Sequence, residues 1–146
     1  MREVAELLHQ DPNVQLFVLG AGAQESAQID ELIRDLPRAK NMAGQIKFAQ
    51  ELQLIAHLDA MLSMDSGNAH MAAMYNVPTV TLWGATHPYA GFAPFAQPVE
   101  NALTADRTHY PLLPTSIYGN KVVPGYEDAM RSISPEQIVQ RIRVVM

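Results

Sequence analysis

The segment from Asp65 to Asn68, with the sequence Asp-Ser-Gly-Asn, carries the residue types of a turn that could bind a small molecule. It lies between an apolar run at 59–64 and an alanine- and methionine-rich run at 68–75. If the first run is a strand and the second a helix, the turn stands at the carboxyl end of the strand, where ligands bind in open α/β sheets. The same residue types also form common tight turns and helix N-caps, so a purely structural corner is the alternative.

Phosphate binding is the first chemistry that this turn would suit. The first N–H groups of a helix have no partner within the helix, and the helix dipole places partial positive charge there. The backbone amides of Gly67, Asn68 and Ala69 could therefore hold a phosphate, and Gly67 would let it approach closely. Hydrogen bonds from the side chains of Ser66, Asn68 and His70 would add to this cradle, although a lone histidine such as His70 is more often a hydrogen-bonded structural residue than a ligand contact.

Sugar binding is the second chemistry, and it depends on Asp65. A carboxylate repels a phosphate, but it accepts strong hydrogen bonds from sugar hydroxyls. A carboxylate beside a phosphate cradle therefore indicates a ligand that contains both a sugar and a phosphate.

The elements that must position this turn alternate between strands and helices. Apolar, β-rich runs predict strands at 14–20, 59–64 and 79–84, with a marginal strand within 39–44. Apolar residues at helical spacing predict helices at 2–10, 29–36, 48–55 and 68–75, with a loop at 21–26 and a left-handed cap at Asn76. This order predicts an α/β fold: a mostly parallel sheet with helices on both faces.

The pattern changes in the C-terminal part of the chain, from residue 87 onward. Residues 87–128 are rich in proline and lack a clear period, which predicts mostly loop with one short strand near 98–103. The final helix is well marked. Ser134 is an N-cap, Pro135 occupies the first helical position and Gln137 completes a capping box, so that Ile138 and Ile142 face the core.

Composition excludes several classes of function. With no cysteine, the chain cannot form disulfides, thiolate zinc sites or a cysteine nucleophile. The net charge of −5 and the absence of a basic cluster argue against nucleic acid as a partner. No run reaches the roughly 20 apolar residues of a transmembrane segment, and the first residues lack a secretory signal, which predicts a cytoplasmic location. The length of 146 residues predicts a single domain.

Metal, hydrolase and nicotinamide chemistries also lack support in the sequence. The histidines show neither His-x-His nor His-x-x-x-His spacing, so no metal site is predicted. Ser66 and His70 are four residues apart, but no Gly-x-Ser-x-Gly elbow surrounds the serine. The segment LGAGAQES lacks the third glycine of a dinucleotide fingerprint.

The stretch SMDSGNAHMAAMYNVPTVTLWGATHP, residues 63–88, resembles the donor-site signature of the bacterial heptosyltransferases, glycosyltransferase family nine. Residues 41–62 resemble the family segment that leads into this strand, and the similarity covers residues 14–95 well and the first helix weakly. The signature positions are met by Asp65, Ser66, Gly67, His70, Ala72, Pro78, Gly84 and Thr86.

The resemblance implies a GT-B arrangement, in which two Rossmann-like domains face a cleft and the C-terminal domain holds a nucleotide diphosphate sugar. Such enzymes transfer a sugar, typically heptose, onto growing lipopolysaccharide. Residues 1–146 would then be the donor-binding domain, with an ADP-linked sugar as substrate and no cofactor. The acceptor domain, which carries the family's proposed catalytic base, would be missing. No residue is therefore assigned a catalytic role, and the chain alone is expected to be inactive.

The resemblance also implies roles for individual residues. Asp65 would bind the sugar, while the diphosphate would be bound by Ser66, Gly67, Asn68 and His70. The loop after the first strand corresponds to a ribose-binding region, where Glu25 is the candidate carboxylate and Gln24 its rival. The complete predicted donor set is Gly20, Gly22, Glu25, Asp65, Ser66, Gly67, Asn68, Ala69, His70 and Thr86.

The chain departs from this family at its start, because it opens on a helix where a doubly wound domain opens on a strand. The resemblance implies that a strand and a lysine-bearing loop would precede Met1. That strand is central in the order 3-2-1-4-5-6. The strands at 14–19 and 60–64 are therefore expected to pair directly, to leave a gap that another chain fills, or to make the fold poorly stable alone.

Two alternatives stay open. The chain could be a non-catalytic nucleotide-sugar binding module, or a remnant that no longer binds. The full enzyme would have no transmembrane segment, and peripheral membrane association is compatible with a lipopolysaccharide acceptor. Aromatic side chains after the third strand either form the wall of a base-binding site or pack beneath the proline-rich loop; they are Trp83, His87, Tyr89, Phe92 and Phe95.

Overall fold

The computed structural model describes residues 1–146, which form two compact units, residues 1–53 and residues 54–146. Strands and helices alternate through most of the chain, and every strand pairing is parallel, which confirms the predicted α/β class. The helices are α1 (Arg2–His9), α2 (Gly22–Leu32), α3 (Phe48–Ile55), α4 (Gly67–Met74) and α5 (Pro135–Val145). The strands are β1 (Leu16–Val18), β2 (Ala39–Asn41), β3 (Met61–Met64), β4 (Thr79–Trp83) and β5 (Ala102–Thr104).

The first unit contains a two-stranded parallel sheet with α2 as the connection between its strands. Leu16 of β1 lies opposite Ala39 of β2, and Val18 lies opposite Asn41. A parallel pair needs such a crossover because the chain must return to the same end of the sheet before the next strand begins. The apolar side of α1 is buried, as its helical spacing predicts.

Helix α2 begins earlier than the sequence predicts, so the expected loop at 21–26 is wrong for most of its length. The helix starts at Gly22, whose φ of +76° suits glycine, and Ala21 is the extended N-cap residue. The Glu25 carboxylate accepts a hydrogen bond from the Ala21 N–H at 2.8 Å and so caps the helix start. Sequence reasoning missed this start because alanine is a poor N-cap residue. The helix ends at Leu32 rather than at 36.

The second unit contains a three-stranded parallel sheet in the order β3-β4-β5. All five residues of β4 are buried, as expected for a central strand that is covered on both faces. Helix α4 joins β3 to β4 and buries three alanines, Ala69, Ala72 and Ala73, whose small side chains allow a close approach to the sheet. The predicted left-handed cap is confirmed, since Asn76 has a φ of +59°.

The C-terminal segment confirms the predicted strand and final helix. Strand β5 follows a short 3-10 helix at Val99–Asn101, a few residues later than expected. Buried Asn101 accepts hydrogen bonds from the guanidinium of Arg141 on α5, at 2.8 Å from Nε and 2.5 Å from Nη2.

The final helix α5 begins with the predicted capping box. The Ser134 hydroxyl accepts a hydrogen bond from the Gln137 N–H at 3.2 Å, and the Gln137 side chain accepts one from the Ser134 N–H at 2.9 Å. The capping box is therefore complete.

Loss of this cap gives the first testable prediction. Ser134→Ala leaves the N–H of Gln137 without its acceptor, and we expect a loss of about 0.5–2 kcal/mol in the free energy of unfolding. Urea denaturation followed by circular dichroism measures this loss. Gln140→Ala on the exposed face of the same helix is the control, with an expected change below about 0.5 kcal/mol. Equal stability of the Ser134 variant and the wild type would show that the capping box contributes nothing.

The strand pairing corrects one sequence prediction. Strand β1 belongs to the sheet β1-β2 and strand β3 to the sheet β3-β4-β5, so direct pairing of the runs at 14–19 and 60–64 is wrong. In each case the strand pairs with the one that follows it through a helical crossover, which is the common arrangement for consecutive strands. The other two expectations, that another chain fills the gap left by a missing central strand and that the fold is poorly stable alone, stay predictions.

Candidate functional site

The predicted turn lies where the sequence places it, between the end of β3 at Met64 and the start of α4 at Gly67. Ser66 is the N-cap residue, with an extended backbone at φ −151° and ψ 164°. Asp65, Ser66 and Gly67 are exposed, and Asn68 is half-buried. The turn is thus an accessible helix start at the carboxyl end of a strand, the position at which open α/β sheets bind ligands.

The backbone amides of the turn are available to different degrees. The N–H groups of Gly67 and Asn68 make no hydrogen bond within the chain, as expected for the first residues of a helix. The Ala69 N–H donates to the Ser66 carbonyl at 3.2 Å, and Ala69 is buried. Two free donors therefore remain for an anion, and Ala69 stabilises the turn rather than presenting a free donor.

The side chains of the turn also differ in what they can offer. The Ser66 hydroxyl lies 2.8 Å from the Ser63 hydroxyl and does not cap α4. The Asp65 carboxylate makes no hydrogen bond or ion pair within the chain, so all of its acceptor capacity is open to a ligand. The His70 imidazole is exposed in the first turn of α4 and also has no partner.

A pocket of about 260 Å³ adjoins the turn and brings Asp65 together with Thr86. These residues meet because β3 and β4 are parallel, with Met64 opposite Leu82, so that both strands end at one edge of the sheet. Apolar side chains form much of the wall. The lining residues are Met64, Asp65, Leu82, Gly84, Ala85, Thr86, Tyr118, Gly119 and Met130.

Tyr118 and Gly119 belong to this wall, and sequence reasoning did not place them there, although the loop that it predicts over residues 115–120 is confirmed. The Thr115 N–H donates to the Ala85 carbonyl at 3.0 Å, which fixes the segment against the end of β4. Gly119 has a φ of +65°, and a Cβ there would lie 2.7 Å from Cγ2 of Thr86. In the sequence, the only sign of this close packing is the glycine that follows Tyr118. Only the fold shows that Thr86 is the neighbour that leaves no room for a larger side chain.

Trp83 at the end of β4 and the aromatic side chains that follow it lie partly in the core and partly at the surface. Trp83 is buried, and its indole N–H donates to the Thr81 hydroxyl at 2.8 Å, so it belongs to the core. The Tyr89 N–H donates to Nδ1 of His87 at 3.3 Å, and burial together with the positive charge of Arg107 lowers the pKa of His87. Phe92 contacts Tyr118, with ring centroids 5.9 Å apart. Phe95 is exposed.

The predicted ribose-binding residues lie in the first unit, at the junction of β1 and α2. A Cβ on Gly20 would lie 2.8 Å from Cδ1 of Ile29 and 3.0 Å from Cδ of Glu25, which explains a glycine at this point. One carboxylate oxygen of Glu25 already binds the Ala21 N–H, while Gln24 is exposed. Gly20, Gly22 and Glu25 therefore shape a helix start, and their role toward a ligand stays a prediction.

Other titratable side chains form no second site of this kind. Nδ1 of His109 lies 2.6 Å from Oδ2 of Asp106, and this hydrogen bond, followed by that from the Thr108 N–H, holds the pKa of Asp106 below its usual value. No nucleophilic side chain is hydrogen-bonded to His109. No three His, Asp or Glu side chains lie close enough together to bind a metal ion.

Comparison of the sequence with family models shows the family. The chain belongs to glycosyltransferase family 9 (heptosyltransferase), whose model matches residues 1–121. It is 26% identical over 151 aligned positions to lipopolysaccharide heptosyltransferase 2 of Escherichia coli K12, covering 97% of this chain and 40% of that protein. It is 28% identical over 106 residues to lipooligosaccharide heptosyltransferase 2 of Haemophilus influenzae, covering 73% of this chain and 29% of that protein.

Solved structures support the fold of the whole chain. A family 9 glycosyl transferase from Veillonella parvula matches with a TM-score of 0.73 at 16% identity, over 99% of this chain and 40% of that one. The Escherichia coli heptosyltransferase WaaC with ADP matches with a TM-score of 0.68 at 16% identity, over 99% and 38%. The chain therefore spans about 40% of these two solved proteins, which are GT-B glycosyltransferases. None of its helices has the length and apolar character needed to cross a membrane.

Proposed function

We propose that this chain is the donor-binding part of a glycosyltransferase that transfers a heptose-like sugar from a nucleotide diphosphate to lipopolysaccharide or a related cell-surface glycan. The observation that carries the proposal is the turn from Asp65 to Asn68. It combines an unpaired carboxylate with two free backbone amides at the carboxyl end of a strand, within a family 9 domain.

In the proposed complex, the two halves of the turn contact different parts of the donor. The N–H groups of Gly67 and Asn68 bind a phosphate oxygen at the positive end of the α4 dipole. His70 adds a donor from the first helical turn, and Asp65 accepts hydrogen bonds from the sugar hydroxyls. We propose ADP as the nucleotide because the Escherichia coli heptosyltransferase that resembles this chain was solved with ADP.

The same proposal assigns no catalytic residue to this chain. The named relatives are more than twice as long as the segment that matches them, so acceptor binding and the catalytic base are proposed to lie outside residues 1–146. We propose that these residues bind the donor in the cytoplasm but do not transfer its sugar by themselves.

Titration with ADP and ADP-heptose tests donor binding directly. We expect both ligands to bind, with the largest amide chemical-shift changes at Gly67 and Asn68, because those N–H groups are free in the unliganded turn. Isothermal calorimetry measures the affinities, and ¹H–¹⁵N NMR locates the site. A parallel assay for release of ADP from ADP-heptose in the presence of acceptor measures turnover.

Each outcome of this experiment separates the candidate functions. Binding without turnover supports either a donor-binding half or a binding module, and recovery of transfer in a longer chain that includes the acceptor domain identifies the former. Absence of binding would identify an inert remnant and contradict the proposal. Binding with no shift at Gly67 or Asn68 would exclude the phosphate cradle.

A further inference from the structure

We propose that Tyr118 contributes to binding of the donor sugar by packing its ring against a face of the sugar whose hydroxyls bind Asp65. This inference rests on the proposed function and assigns a contact that the sequence pattern of the turn does not include. Tyr118 and Asp65 both belong to the second unit, where they line one pocket.

The composition of the pocket wall fits a sugar ring better than it fits a phosphate. A sugar ring has apolar C–H faces and a polar rim of hydroxyl groups. The pocket offers apolar and aromatic surface from Met64, Leu82, Met130 and Tyr118, and it contains a single charged group, the Asp65 carboxylate. Binding sites of this kind combine apolar walls with a few polar groups that fix orientation. A phosphate would find no cation in this wall.

The size of the pocket indicates how much of the donor it can hold. Its volume of about 260 Å³ lies just below the range of about 300–1,000 Å³ for pockets that bury a whole drug-sized ligand. A complete nucleotide diphosphate sugar is larger than this space, whereas a single sugar ring fits. The diphosphate would then lie at the adjoining amides of Gly67 and Asn68, outside the pocket.

The segment that carries Tyr118 is held in place before any ligand binds. The Ser116 hydroxyl donates to Oδ1 of Asn120 at 2.8 Å and accepts from the Asn120 N–H at 3.1 Å, which closes a turn around Tyr118. The Thr115 N–H and the close approach of Gly119 to Thr86 fix this turn to the end of β4. An aromatic group on such a preorganised turn costs little to order on binding.

Tyr118 itself is free to contact a ligand. It is 74% exposed, and its ring is supported on one side by Phe92, at a centroid distance of 5.9 Å and an interplanar angle of 45°. Its hydroxyl has no partner within the chain. A large, exposed aromatic group beside a pocket is unfavourable for solubility, but it supplies binding area to a partner with a complementary apolar face.

The test compares Tyr118→Ala, Tyr118→Phe and Tyr75→Ala by calorimetric titration with ADP-heptose and with ADP. Tyr75 is the control, because it is an exposed tyrosine at the end of α4 remote from the turn and does not line the pocket. We expect Tyr118→Ala to weaken ADP-heptose binding about tenfold and ADP binding by less than about twofold, since the ring contacts only the sugar. Tyr118→Phe should stay within about threefold of the wild type, and Tyr75→Ala should match it.

Each contrary result shows whether the proposed function or only the Tyr118 contact is wrong. If the wild-type chain binds neither ligand, the proposed function fails and this inference fails with it. If the wild type binds both ligands and Tyr118→Ala weakens them equally or not at all, only the sugar contact is refuted. If Tyr118→Phe loses as much affinity as Tyr118→Ala, the ring-packing contact is refuted. Unchanged amide positions of Gly67 and Asn68 in the NMR spectrum of each variant verify that the turn is intact.

Discussion

Replacing Asp65 with alanine is expected to weaken binding of ADP-heptose by about 10- to 100-fold while changing the affinity for ADP by less than about twofold. The carboxylate is exposed and unpaired within the chain, so its hydrogen bonds are made only with a ligand. Hydrogen bonds to a charged group contribute about 1.5–3 kcal/mol each, which corresponds to this range of affinity. The phosphate cradle consists of backbone amides and does not require the Asp65 side chain. Calorimetric titration with both ligands measures the difference.

Two further variants serve as controls for Asp65→Ala. Asp65→Asn retains one carbonyl acceptor but removes the charge, and it should lose part of the sugar affinity. Asp59→Ala removes an exposed carboxylate just before β3, away from the strand end that carries the turn, and it should bind both ligands as the wild type does. Equal weakening of ADP-heptose and ADP by Asp65→Ala would refute a sugar contact, and unchanged affinity for both would remove Asp65 from the site.

Replacing Trp83 with alanine is expected to lower the free energy of unfolding by about 3–5 kcal/mol. The side chain is 1% exposed and lies on β4, the central strand of the second unit. The substitution creates a cavity and removes the donor that pairs with the Thr81 hydroxyl. Since a domain of this size is stabilised by about 5–15 kcal/mol in total, such a loss brings the second unit close to unfolding. Urea denaturation followed by circular dichroism measures it, because the variant lacks the tryptophan fluorophore.

The hydrogen bond and the packing of Trp83 can be separated. Thr81→Val keeps the volume but leaves the buried indole N–H without an acceptor, and we expect a loss of about 1–3 kcal/mol. Tyr89→Ala truncates an exposed aromatic side chain nearby and should change stability by less than about 0.5 kcal/mol. A Trp83→Ala variant as stable as Tyr89→Ala would show that Trp83 is not a core residue.

The features that could be predicted from the sequence are those that depend on neighbouring residues. The capping box at Ser134, the left-handed cap at Asn76 and the turn from Asp65 to Asn68 each follow from short-range backbone hydrogen bonding and allowed dihedral angles. Strand β4 was predicted from its apolar run and is buried along its whole length. Helix α2 was misjudged at its start, because its cap is the Glu25 side chain four residues along rather than an N-cap residue.

By itself, the sequence determined the α/β class, most of the elements, the family and the turn with its carboxylate, because these depend on local spacing and residue type. Tertiary structure alone decided which other residues line the pocket beside that turn. The parallel register of Met64 with Leu82 brings Asp65 to Thr86, and the contact of Gly119 with Thr86 brings Tyr118 to the same pocket. Residues 65 and 118 are far apart in the chain, and only the order of the strands and the path of the returning loop bring them together.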